Sequence, residues 1–541
     1  MPKDLRTFIE EVAERYPNEI KIVDKEVEPK FGITAVAARF EQEGKHPALF
    51  FPKVRNSRLP AVINLSATYE RLALSLGTTV AQMVRLYGER QTTPINPVMV
   101  DTATAPVKNV VLKGADATLD VLPIPTHNAL DAGPYLTGAF LVCRDSDSGI
   151  ANVGLYRHQR QGPHQLGVWF IKGHHGAYIH QKYEDKGQDM PVAIVIGHHP
   201  AVVMGSISRL PGYGGEYEEA GSLMQEPVEL VKAELSDLPV PARAEIVIEG
   251  VIPANARADE GPFAEWPGHY TESGPKPYIN VQCITMRRDA IFYDVFAGHR
   301  EHLVLGSLPR MGSVYRRVKQ AVPGLVNVNV PAHVRMHCYI SYKKTNETEA
   351  KKAAFAALLT EPENFKTIVL VDDDIDVFNE PEVMWAIGTR CHAEKDILLI
   401  PDWSNPGGLN PAAYEYFPDG TKAARPMTAM VIDATKPAPP AKYPPRALVP
   451  DDAVGEVDLE QIIKPFTAHA LTTKRMTPSS APLPFLRSPR RSFDHSIASY
   501  RREPKGDASA STSPSAQRMA STYIVDRAGL SQSFASCPRI E

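Results

Sequence analysis

The stretch 109–297 constrains the fold most, because it consists of short strand-forming runs separated by Gly, Pro and Asp. We predict strands at 138–143, 166–171, 192–196, 244–252, 279–286 and 290–296. Helical spacing between them is rare, which favours a barrel over a doubly wound sheet. The exception is 216–234, where apolar spacing predicts helical segments. We interpret this stretch as the core that carries the chemistry.

The flanking regions mix helices and strands. The first predicts an amphipathic helix from Leu5, Phe8, Ile9 and Val12, strands at 48–51 and 61–65, and a helix at 78–87. The second alternates a helix (314–321), a strand (336–342), a helix (347–359), a strand (367–371) and a helix (380–389), which is typical of α/β crossovers. The predicted fold is α+β. The stretch 476–541 is rich in Ser, Arg, Pro and Ala, which predicts disorder.

Composition narrows the classes of function. Hydrophobic residues make up 43% and charged residues 23%, as in soluble globular proteins. A net charge of -4 argues against a nucleic-acid or membrane-surface partner. The five cysteines lack metal or redox spacing, and no apolar run reaches the roughly 18 residues of a membrane span. We therefore expect a cytoplasmic protein.

Two glutamates stand in a turn-rich stretch at 259–270, Asp-Glu-Gly-Pro-Phe-Ala-Glu-Trp-Pro-Gly-His-Tyr. Proline and glycine restrict the backbone, so Glu260 and Glu265 are expected to be held near bulky rings. The rings of Phe263, Trp266 and Tyr270 would desolvate one carboxyl, while an Arg would keep the other ionised. That arrangement separates a general acid from its helper. The alternative is a surface turn with two solvated glutamates.

A second group of polar residues offers metal or anion ligands. The run 152–157 reads Asn-Val-Gly-Leu-Tyr-Arg, and His174, His175 and Glu216 follow it. Amide, imidazole and carboxylate groups suit Mn²⁺ or Mg²⁺, although the spacing leaves hydrogen-bonded core residues as the alternative. Arg157 could clamp a carboxylate or phosphate, or form a structural ion pair.

An acidic cluster at 372–376, Asp-Asp-Asp-Ile-Asp, follows a predicted strand. Such a position suits a metal or nucleotide site in an α/β enzyme. Caps and solvated turns are the alternative for these carboxylates. His299, just after a predicted core strand, is a candidate for the substrate pocket.

Taken together, these motifs resemble the UbiD family of decarboxylases. The matching segments occur in the family's order over roughly residues 5–450: Asn-Val-Gly-Leu-Tyr-Arg, His-His-Gly, Gly-Glu-Tyr-Glu-Glu-Ala-Gly, Glu-Gly-Pro-Phe-Ala-Glu and Val-Asp-Asp-Asp-Ile-Asp-Val. The resemblance implies reversible, non-oxidative decarboxylation of an aromatic or α,β-unsaturated acid with prenylated FMN. It also implies a split β-barrel cofactor domain of the flavin-reductase type at 116–308, between an N-terminal α/β region (1–115) and a C-terminal α/β oligomerisation domain (309–475).

The resemblance also assigns the cofactor site. Asn152, His175 and Glu216 would hold Mn²⁺ or Mg²⁺ at the cofactor phosphate, with K⁺ as a second ion. The adjacent His174 is an alternative ligand to His175. The remaining cofactor contacts would come from Leu155, Tyr156, Arg157, His174, Gly176, Ser206 and Lys422.

Arg157, Glu260 and Glu265 would form the family's catalytic network. Glu265 would donate the proton, Glu260 would orient Arg157, and Arg157 would anchor the carboxylate region or the cofactor. The implied partners are a small acid, carbon dioxide, a flavin prenyltransferase and further copies of the chain, in a dimer or hexamer. Two other hypotheses are a non-catalytic flavin-binding assembly protein and a metal-dependent hydrolase that uses the cluster at Asp372.

Overall fold

The computed structural model of the protein describes residues 2–208, 214–404 and 409–459. Contacts divide the chain into two compact units, Met1–Arg446 and Ala447–Glu541. The tail at 476–541 predicted to be disordered lies outside the described residues. Among the helices of the described residues, none combines the length and apolar character that a bilayer span requires.

The N-terminal region packs helices against a small sheet. Asp4 caps the first helix by accepting hydrogen bonds from the backbone N–H groups of Arg6 and Thr7, and Leu5 and Phe8 are buried on its inner face. The predicted amphipathic helix is therefore confirmed. The elements are α1 (Leu5–Arg15), β1 (Ile20–Ile22), α2 (Gly32–Gln42), β2 (Ala48–Phe51), β3 (Ala61–Ile63), α3 (Tyr69–Ser75) and α4 (Val80–Arg90).

The central region contains most of the strands. Its elements are β4 (Val98–Met99), β5 (Val110–Lys113), β6 (Tyr135–Leu136), β7 (Phe140–Arg144), β8 (Ala151–Leu155), β9 (His158–Gly162), β10 (Gln165–Val168), α5 (His175–Asp185), β11 (Met190–Ile196), α6 (Pro200–Ser206), α7 (Glu216–Met224), β12 (Glu229–Lys232), β13 (Pro239–Pro241), β14 (Ile246–Ile252), β15 (Ala258–Glu260), β16 (Phe263–Ala264), β17 (Tyr270–Thr271), β18 (Gly274–Lys276), β19 (Tyr278–Met286) and β20 (Phe292–Tyr293).

One large antiparallel sheet organises this region. Its strands pair in the order β6-β9-β10-β19-β14-β11-β7-β8, and β5 also pairs with β19. The central strands β11, β14 and β19 are mostly buried, as their apolar sequences require. The helices α5, α6 and α7 all contact β8, so this edge of the sheet carries three helices. The predicted mixture of helices and sheets is confirmed.

Two sequence predictions in this region were wrong. The run 290–296 forms only the short strand β20, which pairs with β3 and so extends the N-terminal sheet rather than the central one. The stretch 216–234 is helical only as far as Met224. After Gln225, whose φ of 62° ends the helix, β12 pairs with β4 and β13. Apolar residues fit a buried helix or a buried strand equally well, which explains the second error.

The C-terminal region is an α/β layer, as predicted. Its elements are α8 (Arg300–Ala321), β21 (Leu325–Asn329), β22 (His337–Tyr342), α9 (Glu349–Thr360), β23 (Thr367–Asp372), α10 (Glu380–Arg390), α11 (Ala393–Asp396), β24 (Ile397–Ser404), β25 (Tyr414–Tyr416), β26 (Lys422–Ala424) and β27 (Met427–Ala434). The sheet of this region has the order β21-β22-β23-β27-β24, with parallel pairs β22–β23 and β23–β27. In the second unit, the described residues contain α12 (Asp451–Gly455).

Candidate active site

Arg157 joins the two glutamates that the sequence analysis singled out. Its Nε and Nη2 donate to Glu260 Oε1 and Oε2 at 2.9 and 2.7 Å, and its Nη1 donates to Glu265 Oε1 at 2.7 Å. All three side chains are buried, and Glu260 has no exposed surface. Burial alone would lower the pKa of Arg157, but the charges of Glu265 and Glu260 raise it above its ordinary value. The interpretation as a solvated surface turn was therefore wrong.

Two aromatic rings lie close to the guanidinium of Arg157. The Arg157 Cζ lies 4.3 Å from the centre of the Trp169 ring and 4.9 Å from that of Phe263. These contacts exclude water, so the charged hydrogen bonds act at low local dielectric. Of the three rings expected near the glutamates, Phe263 fulfils the expectation. Trp266 lies over the guanidinium of Arg335 instead, at 4.7 Å, and the residue Tyr270 is 39% exposed.

Sequence reasoning missed two residues of this cluster. Trp169 was not recognised because it reaches Arg157 only through the pairing of β9 with β10, where His158 lies opposite Val168. Tyr135 was not recognised because its position depends on the tertiary fold. Its hydroxyl donates to Glu260 Oε1 at 3.1 Å, and its ring packs against Phe263 with a centroid distance of 4.3 Å.

The backbone around Glu260 is fixed by its neighbours. The N–H of Gly261 donates to Gln159 Oε1 at 3.0 Å, and Gln161 Nε2 donates to the carbonyl of Asp259 at 2.7 Å. Gly261 has a φ of 90°, and a Cβ there would lie 3.0 Å from the carbonyl oxygen of Glu272. Both the conformation and the space require glycine. The result is a rigid turn that places Glu260 and Glu265 on one guanidinium.

The predicted metal ligands converge at the β8 edge of the sheet. His175 Nδ1 lies 3.2 Å from Asn152 Oδ1, and the choice between His174 and His175 as the metal ligand stays a prediction. Asn152 pairs with Cys143, and the Glu216 charge acts on the Cys143 thiol. Burial raises the pKa of Glu216 to about 7, although the N–H groups of Glu216 and Val153 oppose the shift.

The side-chain amide of Asn152 is one of the three candidate metal ligands at this site. No group of three or more His, Cys, Asp and Glu residues within the described ranges is arranged to hold a metal ion. An amide oxygen, an imidazole nitrogen and a carboxylate are nonetheless a suitable donor set for Mn²⁺ or Mg²⁺. The chemistry of these three residues therefore fits a divalent ion. Asn152 would supply an amide oxygen, which a cluster made only of His, Cys, Asp and Glu does not contain.

Other residues predicted to contact the cofactor lie in or next to β8 and in the helices that contact it. Tyr156 packs edge-on against Phe170 at 5.0 Å, and a Cβ on Gly176 would overlap the Tyr156 hydroxyl. Leu155 ends β8 and is partly buried. The Ser206 hydroxyl donates to the carbonyl of Val203 at 2.7 Å, at the end of α6.

Lys422 lies in the β25–β26 hairpin, apart from these residues in sequence. Its Nζ donates to Glu272 Oε1 at 2.7 Å and lies 4.8 Å from the centre of the Tyr414 ring. It therefore contacts the segment next to the glutamate turn. Its contact with the cofactor stays a prediction.

His299 was the candidate for the substrate pocket. Its Nδ1 forms a hydrogen bond of 2.6 Å with Glu41 Oε2, and its ring stacks on that of Phe296 with a centroid distance of 3.6 Å.

The carboxylates of the acidic cluster in the C-terminal region form ion pairs with basic side chains. Arg390 donates to Asp372 at 2.7 Å and to both carboxylate oxygens of Asp374 at 2.9 and 2.8 Å. The Lys436 ammonium lies 3.2 Å from Asp374. These ion pairs support the structural interpretation of Asp372 and Asp374 and weaken the hydrolase hypothesis.

Comparison with known proteins places this geometry in a family. Models of the N-terminal, Rift-related and C-terminal domains of 3-octaprenyl-4-hydroxybenzoate carboxy-lyase match residues 13–91, 98–300 and 303–434, in that order. The chain belongs to the UbiD family of carboxy-lyases. The resemblance seen in the sequence is thereby confirmed across all three regions.

Individual relatives cover most of the chain. It is 32% identical to an anhydromevalonate phosphate decarboxylase of Methanothermobacter thermautotrophicus, over 80% of this chain and 97% of that protein. It is also 32% identical to a phenolic acid decarboxylase of Sedimentibacter hydroxybenzoicus, over 85% and 97%. The structure of the UbiD-class enzyme HmfF from Pelotomaculum thermopropionicum in complex with FMN matches with a TM-score of 0.78 and 35% identity, over 85% and 100%. An evolved dimeric form of HmfF in complex with prFMN matches with a TM-score of 0.76 and 32% identity, over 85% and 100%.

Proposed function

We propose that the protein catalyses reversible, non-oxidative decarboxylation of an aromatic acid, either benzoic, phenolic or heteroaromatic, or of an α,β-unsaturated acid, with prenylated FMN. The observation that carries this proposal is the buried guanidinium of Arg157 that bridges Glu260 and Glu265. Two related proteins are named phenolic acid decarboxylases, and related structures contain FMN or prFMN.

The residues around β8 fit a flavin phosphate and its metal ion. Glu216 begins α7 and His175 begins α5, and a helix N-terminus favours an anionic group. Asn152, His175 and Glu216 would hold Mn²⁺ or Mg²⁺, with K⁺ as a second ion. Leu155, Tyr156, Gly176, Ser206 and Lys422 would contact the cofactor. The domain that binds the cofactor would be a split barrel of the flavin-reductase type at 116–308.

The hydrogen bonding of the two glutamates assigns them different tasks. Glu260 accepts three hydrogen bonds, two from Arg157 and one from Tyr135, whereas Glu265 accepts one from Arg157. Glu260 is therefore the more firmly held of the two carboxylates. Glu265 is therefore the proton donor in our proposal, and Glu260 is the fixed anion that orients Arg157.

The reaction follows from these roles. When bound, prenylated FMN supplies the electrophilic centre that accepts the electrons released as carbon dioxide departs. Arg157 orients the substrate carboxylate, and the buried site excludes water. Glu265 gives its proton to the carbon that loses carbon dioxide, so the products are the decarboxylated compound and carbon dioxide. A positioned acid typically contributes about 10²- to 10⁴-fold. At high carbon dioxide the same groups would support carboxylation.

Further partners follow from the same proposal. A flavin prenyltransferase would supply the cofactor, and the C-terminal region at 309–475 would join copies of the chain into a dimer or hexamer.

A flavin-binding assembly protein without catalysis is the second candidate function. The buried network of Arg157, Glu260 and Glu265 argues against it. Burying three ionisable groups lowers the stability of the fold unless they serve a function such as catalysis.

Turnover of the loaded protein tests the proposal. The chain would be produced together with a flavin prenyltransferase and assayed for carbon dioxide release from a panel of benzoic, phenolic, furoic and cinnamic acids. Glu265→Gln serves as the control, because it should keep bound flavin and lose turnover. Protein that binds the flavin but releases no carbon dioxide from any acid would favour the assembly hypothesis.

A further inference from the structure

We propose that Arg335, from the C-terminal region, is a positioning residue that holds the Glu265 turn (residues 265–269) through the indole ring of Trp266. The Cζ of Arg335 lies 4.7 Å from the centre of that ring, and Trp266 directly follows Glu265 in the chain. This inference rests on the proposed decarboxylase function and deepens it, because it names a residue on which the placement of the proton donor depends.

The position of the Glu265 carboxylate depends on the backbone that carries it. Among the described residues, this carboxylate accepts one hydrogen bond, from Arg157, whereas Glu260 accepts three. The Glu265 N–H donates to the carbonyl of His269 at 3.0 Å, and the Gly268 N–H donates to the Glu265 carbonyl at 2.9 Å. A shift of this turn therefore moves the proposed acid. A misplacement of about 1 Å can lower a reaction rate by about 10²-fold.

The guanidinium of Arg335 is held in place by α8. Arg335 lies in the loop between β21 and β22 and is only 6% exposed. Its Nη1 donates to the carbonyl of His302 at 3.4 Å. A Cβ on Gly306 would lie 2.7 Å from the Arg335 Cζ, so glycine leaves the space that the guanidinium occupies. The cation is thereby presented to the Trp266 ring away from water, where such a contact is strongest.

The same helix reaches the Glu265 turn by a second route. The Gly298 N–H donates to His302 Nδ1 at 3.2 Å. Burial, aided by the Arg335 charge, lowers the pKa of His302 to about 3, so the neutral ring can accept this hydrogen bond. Gly298 has a φ of 76°, and a Cβ there would lie 3.3 Å from the Glu265 carbonyl oxygen. Arg335 thus contacts both Trp266 and His302, which lead to Glu265 from two sides of the sequence.

The alternative is that Arg335 only stabilises the C-terminal region. A matched pair elsewhere in the chain separates the two roles. Arg446 places its Cζ 4.5 Å from the centre of the Trp385 ring, and Trp385 lies in α10. This pair has the same chemistry, but both of its residues belong to the C-terminal region. Its loss therefore reports the effect of removing such a contact away from the Glu265 turn.

The test compares Arg335→Met, Arg335→Lys and Arg446→Met in holoenzyme loaded by co-expression with a flavin prenyltransferase. We expect Arg335→Met to lower kcat about tenfold or more while KM changes less than about twofold, because the acid is displaced and the substrate contacts are kept. Arg335→Lys keeps a cation at the ring and should recover part of kcat. Arg446→Met should keep kcat. An unchanged kcat in Arg335→Met, or an equal loss in Arg446→Met, would overturn the inference.

A double-mutant cycle tests whether Trp266 is the route. Trp266→Leu removes the ring, so adding Arg335→Met to it should lower kcat by less than about twofold more. A further loss as large as that of Arg335→Met alone would show an independent effect and overturn the inference. Trp266→Phe keeps an aromatic face and serves if Arg335→Met does not fold. It should lose less activity than Trp266→Leu, and an equal loss would count against the ring contact.

A direct readout makes the inference independent of turnover. Hydrogen–deuterium exchange is followed at the N–H groups of Glu265 and Gly268, whose hydrogen bonds close the turn. Arg335→Met should accelerate their exchange about fivefold or more, and Arg446→Met should not. Unchanged exchange in Arg335→Met overturns the inference, whether or not an acid is decarboxylated. Absence of turnover in the loaded, unmodified enzyme overturns the proposed function instead.

Discussion

Replacing Glu260 by Gln should destabilise the active-site turn far more than replacing Glu265 by Gln. Glu260 accepts two Arg157 hydrogen bonds and one from Tyr135, and it is fully buried. An amide keeps one acceptor oxygen but turns an NH₂ group toward a donor of Arg157. At least one charge-assisted hydrogen bond, about 1.5–3 kcal/mol, is therefore lost together with one partner of a buried ion pair.

We expect Glu260→Gln to lower the free energy of local opening of the turn by about 3 kcal/mol. The loss is no larger because Glu265 still neutralises part of the Arg157 charge. Glu265 accepts a single hydrogen bond, from Arg157 Nη1, which an amide oxygen can still accept. The expected cost of Glu265→Gln is about 1 kcal/mol. Its turnover should nevertheless fall by about 10²- to 10⁴-fold, because it is the proposed proton donor.

Hydrogen–deuterium exchange of the peptide that spans 258–266 measures this difference. A change of about 3 kcal/mol in local opening accelerates exchange by roughly 10²-fold, and about 1 kcal/mol by roughly fivefold. Glu89→Gln, at an exposed helix position with an Arg85 contact of 3.8 Å, is the control and should leave the peptide unchanged. Equal acceleration in both active-site variants would refute the assignment of different roles to the two glutamates.

Three further changes test other parts of the structure. His158 is buried with both ring nitrogens unpartnered among the described residues, and burial lowers its pKa to about 3. The unfolded chain therefore takes up a proton at His158 as pH falls below about 6.5, whereas the folded protein does not, and this lowers the free energy of unfolding. In urea unfolding, His158→Phe should remove a loss of about 1.3 kcal/mol between pH 7 and pH 5.5; an unchanged pH dependence would contradict this. Gly176→Ala should abolish flavin retention, measured by absorbance after gel filtration, because the new methyl group displaces Tyr156, whereas Gly388→Ala has open space and should retain it. Asp374→Asn should leave decarboxylation unchanged, and a loss of turnover would return the acidic cluster to consideration as a catalytic site.

Much of the fold was predictable from local patterns. The strands β2, β11 and β14 and the helices α9 and α10 follow from apolar periodicity and their bounds agree with the predictions within about two residues. The pairing of β20 with β3 was not predictable, because it joins segments more than two hundred residues apart. Partner choice between distant strands depends on the whole core, which local patterns do not report.

The site was predictable where a motif carries it. Arg157, Glu260 and Glu265 were assigned from motif resemblance, and the structure brings them within hydrogen-bonding distance. Tyr135 and Trp169 complete the cluster from other strands, and no spacing in the sequence links them to the glutamates. Phe263 was selected for its proximity in sequence together with Trp266, yet strand geometry turns only Phe263 toward Arg157.

The central claim is tested most directly by one measurement on protein co-expressed with a flavin prenyltransferase. Small molecules released from the purified protein are identified by absorption and mass, and ¹³C-carboxyl-labelled aromatic acids are followed to labelled carbon dioxide. Our account predicts bound prenylated FMN and labelled carbon dioxide that disappears in Glu265→Gln. Labelled carbon dioxide released equally by Glu265→Gln, or a fully loaded protein that releases none, would contradict it.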